Sequence, residues 1–507
     1  MHNKRAACIF LKRIRDCFRG FPIFSKRINY LMDQPPLKKA IGLWPAVSII
    51  IGSIIGSGVF MKPATMAAQL GSPLWLAAVW IIAGIFSLTG ALIYAEVGAM
   101  LPETGGQYIY FKHMYGRFVA FLYGWAAFAV INTAAVAAIS FVCSQYADYF
   151  LHLPRLDAAT EHSIALHIPL LGNLYLLENL GVKLLAVVLV IGLTLLNYVS
   201  VRAGSALQVV STVVKMLVIG ALVFGIFFSG KGSAGNFIHA IHPEHGIGLL
   251  SGIVGALTGA FMAYDGWINI TFVGGEINNP QKTIPRSLFI GVFACIVVYI
   301  LVNQAYLYVL PVEKVATSSL VAADAISVAL GTTSAAIVAA MVVICTFGAV
   351  NGNIMSVARV TYAMSIDKLF LSWTGKEHPR FRTPGNALLL HGIWSCVLVI
   401  SGSFDMLADM FTFISWIAYL MGAVGIFILR KKMPDASRPY KAWGYPLLAA
   451  LFIAFASFYV VSTIWNDINN YNTGKAPVIN SLLGLAITAL GVPVYWYFNK
   501  RVKAKPV

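Results

Sequence analysis

The feature that most constrains this chain is a series of apolar stretches, each long enough to cross ~30 Å of hydrocarbon as a helix of about 20 residues. They recur from residue 41 to residue 498 with short polar, glycine- or proline-bearing punctuation between them. There are about twelve: 41–62, 73–99, 118–148, 181–200, 206–229, 248–272, 288–310, 333–363, 386–402, 405–429, 444–464 and 478–498. Lipid leaves no unpaired backbone unpunished, so runs of this length are helical. The expected fold class is an all-α membrane protein, a single polytopic bundle without a separate soluble domain. Composition agrees: 11% of the 507 residues are charged, against about 25% in soluble domains.

The net charge of +17 would suit nucleic acid or anionic lipid if the 36 Lys and Arg were spread over one surface, so their placement decides. Assigned to alternate sides of the spans, most fall on the side of the N-terminus, which predicts both termini inside. The clusters are the arm at residues 1–40, Lys368 to Arg382, Arg430-Lys431-Lys432 with Arg438 and Lys441, and the tail at 499–507. Their simplest reading is topogenic, with membrane lipid as the partner and no nucleic acid. Residues 1–40 lack a signal-peptide core followed by a small-residue cleavage site, so they read as a cytoplasmic arm or as an extension from an alternative start. Cys143, Cys295, Cys345 and Cys396 lie inside apolar runs and Cys8 and Cys17 in the arm, none placed for an exported disulfide.

Span 1 is weak where lipid demands regularity. Gly52-Ser53-Ile54-Ile55-Gly56-Ser57-Gly58 sets three glycines at mid-membrane, each costing about 1 kcal/mol of helix propensity relative to Ala. Irregular backbone at that depth persists only where it is buried in protein or lines a cavity. A half-helix starting near Ser57-Gly58 offers free N–H groups and a positive dipole end to a carboxylate. The half before it ends in carbonyls that suit an ammonium, so a zwitterion fits both. The alternative is that Gly56 and Gly58 only permit close helix packing.

Span 6 carries a second irregularity, Ala263-Tyr264-Asp265-Gly266-Trp267. A lipid-facing Asp265 would cost about 2.5–3.5 kcal/mol, so it is expected to face water or protein. It either touches substrate or forms a structural hydrogen bond across the break. Spans 1 and 6 each open a set of five, and an inverted repeat of 41–229 against 248–429, followed by two helices over 444–498, would set the two breaks face to face.

Lys215 interrupts span 5 several residues from either end, deeper than a lysine snorkels with ease. Glu96 and Glu276 lie near the inner face, the latter within reach of Arg286 and Lys282, and read either as an inner gate or as solvated loop charges. Arg359 reads as an interfacial anchor. No metal, nucleotide or nucleophile constellation appears, and no cofactor is implied. A pump or membrane protease is disfavoured, and the chain is not expected to be an enzyme.

These stretches, together with Tyr94-Ala95-Glu96-Val97-Gly98, Glu103-Thr104-Gly105-Gly106-Gln107-Tyr108, Glu276-Ile277-Asn278-Asn279-Pro280, Phe347-Gly348-Ala349-Val350-Asn351-Gly352 and Arg438-Pro439-Tyr440-Lys441, resemble the L-type amino acid transporter family of the amino acid–polyamine–organocation superfamily, bacterial branch. The similarity runs in order from about Ala40 to the last span, and the motifs are specific as a set. The resemblance implies a LeuT-type fold of twelve helices with a 5+5 inverted repeat broken in helices 1 and 6, and sodium-independent exchange of neutral amino acids. Ile54, Ser57 and Gly58 match main-chain contacts to substrate, with Gly56 and Ala263 alongside. Met262 stands where many members have a Phe that closes over the substrate, leaving Phe261 as an alternative lid. Ile268 stands where relatives for large substrates have Asn, which points to small substrates. Lys215 matches the position where sodium-coupled relatives of the fold hold a cation, so its ammonium would bridge helix 1 to helix 8. Family members that pair with a glycoprotein do so through a Cys in the loop between helices 3 and 4; residues 151–180 contain none, so no disulfide-linked heavy chain is expected.

The function expected is therefore alternating-access exchange of small neutral L-amino acids across a bacterial inner membrane. Proton-coupled uptake, with Lys215, Asp265 or Glu96 titrating, and a non-transporting amino acid sensor are the alternatives.

Overall fold

The computed structural model describes residues 41–199, 201–241, 247–379, 381 and 383–503. The basic arm expected over 1–40 and the end of the tail lie outside them. What is described is mainly helical. In chain order the principal helices are α1 (Leu43–Ile54), α2 (Gly58–Leu70), α3 (Pro73–Met100), α4 (Gln107–Tyr115), α5 (Arg117–Leu151), α6 (Leu180–Val199), α7 (Val201–Phe227), α8 (Ile247–Tyr264), α9 (Asn269–Phe272), α10 (Pro280–Val309), α11 (Val312–Thr317), α12 (Val321–Leu330), α13 (Thr332–Ile366), α14 (Gly385–Ser401), α15 (Phe404–Lys432), α16 (Leu447–Asn472), α17 (Asn480–Ala489) and α18 (Gly491–Lys503).

Among the described residues, nine helical segments are long and apolar enough to cross a membrane, α17 and α18 counting as one, and the bent pair α1–α2 makes a tenth. The sixth and ninth expected spans are occupied by the shorter helices α8 and α14. The expected count of twelve is thus not reached on length and composition alone. Shortness of α8 has a local cause, since it stops at Tyr264 where the backbone turns at Asp265-Gly266. Large apolar side chains such as Leu74, Val188, Leu217, Phe224 and Val461 point outward, more than half exposed. In water such a surface would be a liability; in lipid it is the matched one.

Two features depart from an all-helix reading of the spans. Residues 151–180, expected as a plain loop, fold into a short antiparallel hairpin, β1 (Ala165–Ile168) against β2 (Gly172–Tyr175), with Ala165 opposite Tyr175. Within α5, Ala127–Ile131 widens into a π-turn. Helices α4 and α12 fill intervals that hydropathy reads as punctuation, being too short for any membrane-length window.

The packing positions the two breaks. α1 runs along α10, and α2 runs along α8, while α3 covers α10 from the other side. α5 and α7 both pack on α13. The breaks in α1–α2 and α8–α9 therefore meet in the middle of the bundle.

Candidate functional site

α1 ends at Ile54, and Ile55 (φ −74°, ψ 89°) leaves the helical region before α2 starts at Gly58. The two axes diverge by 41°. The second break falls between α8 and α9, with Gly266 at φ +107°, a conformation that favours glycine. Each break is shaped to receive the other. A methyl on Gly266 would stand 2.7 Å from the Ser53 carbonyl oxygen, and one on Gly58 would stand 2.5 Å from the Ala263 Cα. Gly58 thus serves close packing, the alternative reading of the motif, and also opens the half-helix. Gly56 carries no such restriction: the nearest atoms to its absent methyl are 3.9–4.0 Å away.

Side chains tie down the carbonyls at the helix ends. The Lys215 ammonium on α7, wholly buried, donates to the Gly52 carbonyl at 2.9 Å. The Tyr299 hydroxyl on α10 lies 2.8 Å from the Ile54 carbonyl and 2.9 Å from the Ala263 carbonyl. Its one proton is shared between the ends of α1 and α8, satisfying acceptors that a helix terminus leaves open. Tyr299→Phe is expected to lower unfolding free energy in detergent by about 1–3 kcal/mol, the cost of a buried acceptor left unmade. Equilibrium unfolding of the purified variant checks it. The Asp265 carboxylate accepts from its neighbour's Gly266 N–H at 2.6 Å and from the Tyr419 hydroxyl of α15 at 2.5 Å. It braces the break, the structural role weighed for it from the sequence, while still lining the cavity beside it.

That cavity, about 50 Å³, is bounded by Ser53, Ile54, Gly56, Ser57 and Gly58 from the first break and by Met262, Asp265, Gly266, Ile268 and Asn269 from the second. Gln107, Tyr123, Asn132, Asn353, Ser415 and Tyr419 complete its polar wall, and Ile131, Ala135, Ile139, Phe272 and Phe411 its apolar one. Asp265 is its one charged side chain among the described residues. Of the sequence candidates, Phe261 does not reach the cavity. Its ring centroid lies 3.8 Å from that of Trp416, tilted, and 5.0 Å from that of Tyr459, edge-on, on the face of α8 turned toward α15 and α16. Ala263 stays out too, spending its carbonyl on Tyr299 and its Cα on Gly58. Met262 is left as the side chain of α8 beside the site.

Charged pairs stand at both ends of the bundle. Glu276 meets Arg359 of α13 at 3.2 Å, not Arg286, which is exposed on α10. Glu96, almost fully buried, takes both a guanidinium fork from Arg430 at 2.6 and 2.9 Å and the Ala442 N–H at 2.6 Å. It joins α3 to α15 and the segment after it rather than pairing with Glu276's partners, and it is no solvated loop charge. At the opposite end, Lys62 on α2 is 3% exposed and lies 2.7 Å from Asp405 and 3.3 Å from Asp409 on α15. This trio lines a polar cavity of about 290 Å³ that also reaches Glu178, Asp467 and Lys475. The sequence reading passed over it. Its signal was available: a lysine closing span 1, and two carboxylates four residues apart, hence on one helix face.

Residues 41–487 match the family model for amino acid permeases. The chain belongs to the amino acid permease family. As a member, it carries the LeuT-type architecture whose broken helices are described above, and it is a multi-pass membrane protein. Its relatives place it with the L-type transporters of the amino acid–polyamine–organocation superfamily. The serine/threonine exchanger SteT of Bacillus subtilis is 30% identical over 469 residues, 92% of this chain and 98% of the exchanger. The human cystine/glutamate transporter is 30% identical over 468 residues, covering 92% and 86% of the two chains. The mouse large neutral amino acids transporter small subunit 2 is 31% identical over 474 residues, covering 91% and 81%. These relatives are transporters, not enzymes.

Proposed function

We propose that this permease is a sodium-independent exchanger of small neutral L-amino acids working by alternating access. The observation that carries the reading is the cavity held between the two breaks, with helix-end groups on both sides and no charged side chain except Asp265, already engaged by Tyr419 and Gly266. The first N–H groups of α2 suit a carboxylate. Among the carbonyls closing α1, those of Gly52 and Ile54 are taken by Lys215 and Tyr299, which leaves Ser53 at the cavity wall for an ammonium. A neutral side chain follows from the lack of a free ion to pair with. A cavity of only about 50 Å³ supports a small side chain. The likeness to the serine/threonine exchanger supports the same class.

Lys215 supplies a fixed positive charge at the end of α1, where a coupled sodium ion would otherwise be needed. The Lys62 pair with Asp405 and Asp409 holds one end of the route closed and must part for the other state to form. Positive-inside placement of the charges supports a cytoplasmic position for both termini, and the Cys-free segment 151–180 suits a bacterial inner membrane without a covalently linked heavy chain. Proteoliposomes loaded with unlabelled serine should accumulate labelled serine by counterflow, equally in sodium and in choline, while empty vesicles should not. Accumulation by empty vesicles under a pH gradient would identify proton coupling, and binding without flux a sensor; either result overturns exchange.

A further inference from the structure

Asn132 opens the second half of α5, directly after the π-turn at Ala127–Ile131. Turns of this kind are frequent at functional sites, because they rotate the residues that follow and free a carbonyl. The freed groups here are accounted for. The Asn132 N–H closes the wide turn on the Ala127 carbonyl. The Thr133 hydroxyl donates to the Phe128 carbonyl at 2.7 Å. The Trp394 indole donates to the Ala129 carbonyl at 2.8 Å. The backbone is thus satisfied without help from the Asn132 side chain.

Asn132 is buried, at 9% exposure, and it lines the central cavity. Its amide nitrogen has no hydrogen-bond partner among the described residues. Asparagines elsewhere in the bundle, two of them buried, behave differently. Asn197, Asn303 and Asn353 each donate their amide to the carbonyl one turn back, at 2.8 to 2.9 Å. For Asn132 that carbonyl is Phe128's, which Thr133 already occupies. A buried amide left unpaired is costly, and one that lines a cavity stands where a ligand can complete it. Opposite it, the Ser57 hydroxyl on the first break is also buried without a partner.

We infer that Asn132 reads the side chain of the transported amino acid, its carboxamide hydrogen-bonding a hydroxyl so that serine and threonine are favoured over alanine and valine. This rests on the exchange reading above and deepens it. The carboxylate and ammonium are held at the helix breaks, and the side chain then points across the cavity toward α5. A hydroxyl both donates and accepts, and a carboxamide answers with either end. A site built to bond a hydroxyl discriminates against the analogue lacking it, because the site's own polar group is then left bare.

The test is the ratio of kcat/KM for serine over alanine in counterflow, measured for the wild-type chain, Asn132→Leu and Asn132→Ala in parallel. Alanine counterflow serves as the folding control, since it needs the backbone clamp and not the amide. At least a tenfold fall in the ratio, with alanine exchange retained in either variant, is the result expected. An unchanged ratio, whether both substrates are kept or both are lost together, overturns the role of Asn132 and leaves exchange standing. Absence of counterflow for every neutral amino acid in the wild-type chain overturns the exchange reading itself, and this inference with it.

Discussion

Replacing Lys215 by alanine is expected to cut exchange by about a hundredfold or more, the penalty of a roughly 1 Å misplacement at a reacting or binding centre, and the unaltered chain is expected to exchange at a rate indifferent to sodium. The ammonium does two things at the end of α1. It satisfies the Gly52 carbonyl, one of the acceptors that a helix terminus leaves without an intrahelical partner. It also sets a positive charge in the last turn, where the negative end of the helix dipole lies. Both contributions vanish with the side chain, and a buried carbonyl left bare costs about 1–3 kcal/mol. Thermal melting of the detergent-solubilised variant, with and without serine, separates lost binding from lost folding. Binding and exchange that survive Lys215→Ala at near wild-type rates would sink the assignment, as would loss of wild-type transport when choline replaces sodium.

Much of this site was legible because its signals are local. Glycine and serine in the middle of an apolar span, and an aspartate next to glycine in another, contradict the regularity that lipid imposes, and both breaks formed where those residues lie. Lys215 was legible for the same reason, as a charge too deep to be idle. What stayed hidden is contact across long chain separations. Lys62 finds Asp405 across 343 positions and Glu96 finds Arg430 across 334, and no spacing rule connects such residues. The inner-face pairing failed this way: Arg286 is near Glu276 in sequence, but α13 delivers Arg359 instead. Phe261 failed differently. Adjacent helical positions face about 100° apart, so Phe261 could not stand in for Met262 at one cavity, and it turned to Trp416. The π-turn before Asn132 has no residue signature at all, which is why the polar wall of α5 was not foreseen.

The reciprocal fit of the two breaks leads to the other large expected effect. Gly266→Ala adds a methyl where the backbone is at φ +107° and where the Ser53 carbonyl oxygen stands 2.7 Å away, its carbon 2.9 Å. Neither neighbour is the tip of a flexible side chain. The strain of that φ on a non-glycine residue is of order 1–3 kcal/mol, and relief of the clash requires α1 to move away from the second break. Ser53, Lys215's acceptor Gly52 and Tyr299's acceptor Ile54 all ride on that last turn, so the displacement spreads to the groups proposed to hold both charged ends of the substrate. Exchange is expected to fall by about a hundredfold or more, with a lower melting temperature. Gly56→Ala is the matched control: it too lies in a break and lines the cavity, yet its added methyl meets nothing closer than 3.9 Å, so its melting temperature should stay within a few degrees of wild type. If Gly266→Ala exchanged serine as the unaltered chain does, the two breaks would not be the interlocked clamp described here, and the binding of substrate would have to be sought elsewhere along the cavity wall. If both glycines proved equally intolerant, the space around Gly56 would be needed by the substrate itself, and the distinction between a glycine that fits the helices together and one that leaves room for the ligand would be read directly from the pair.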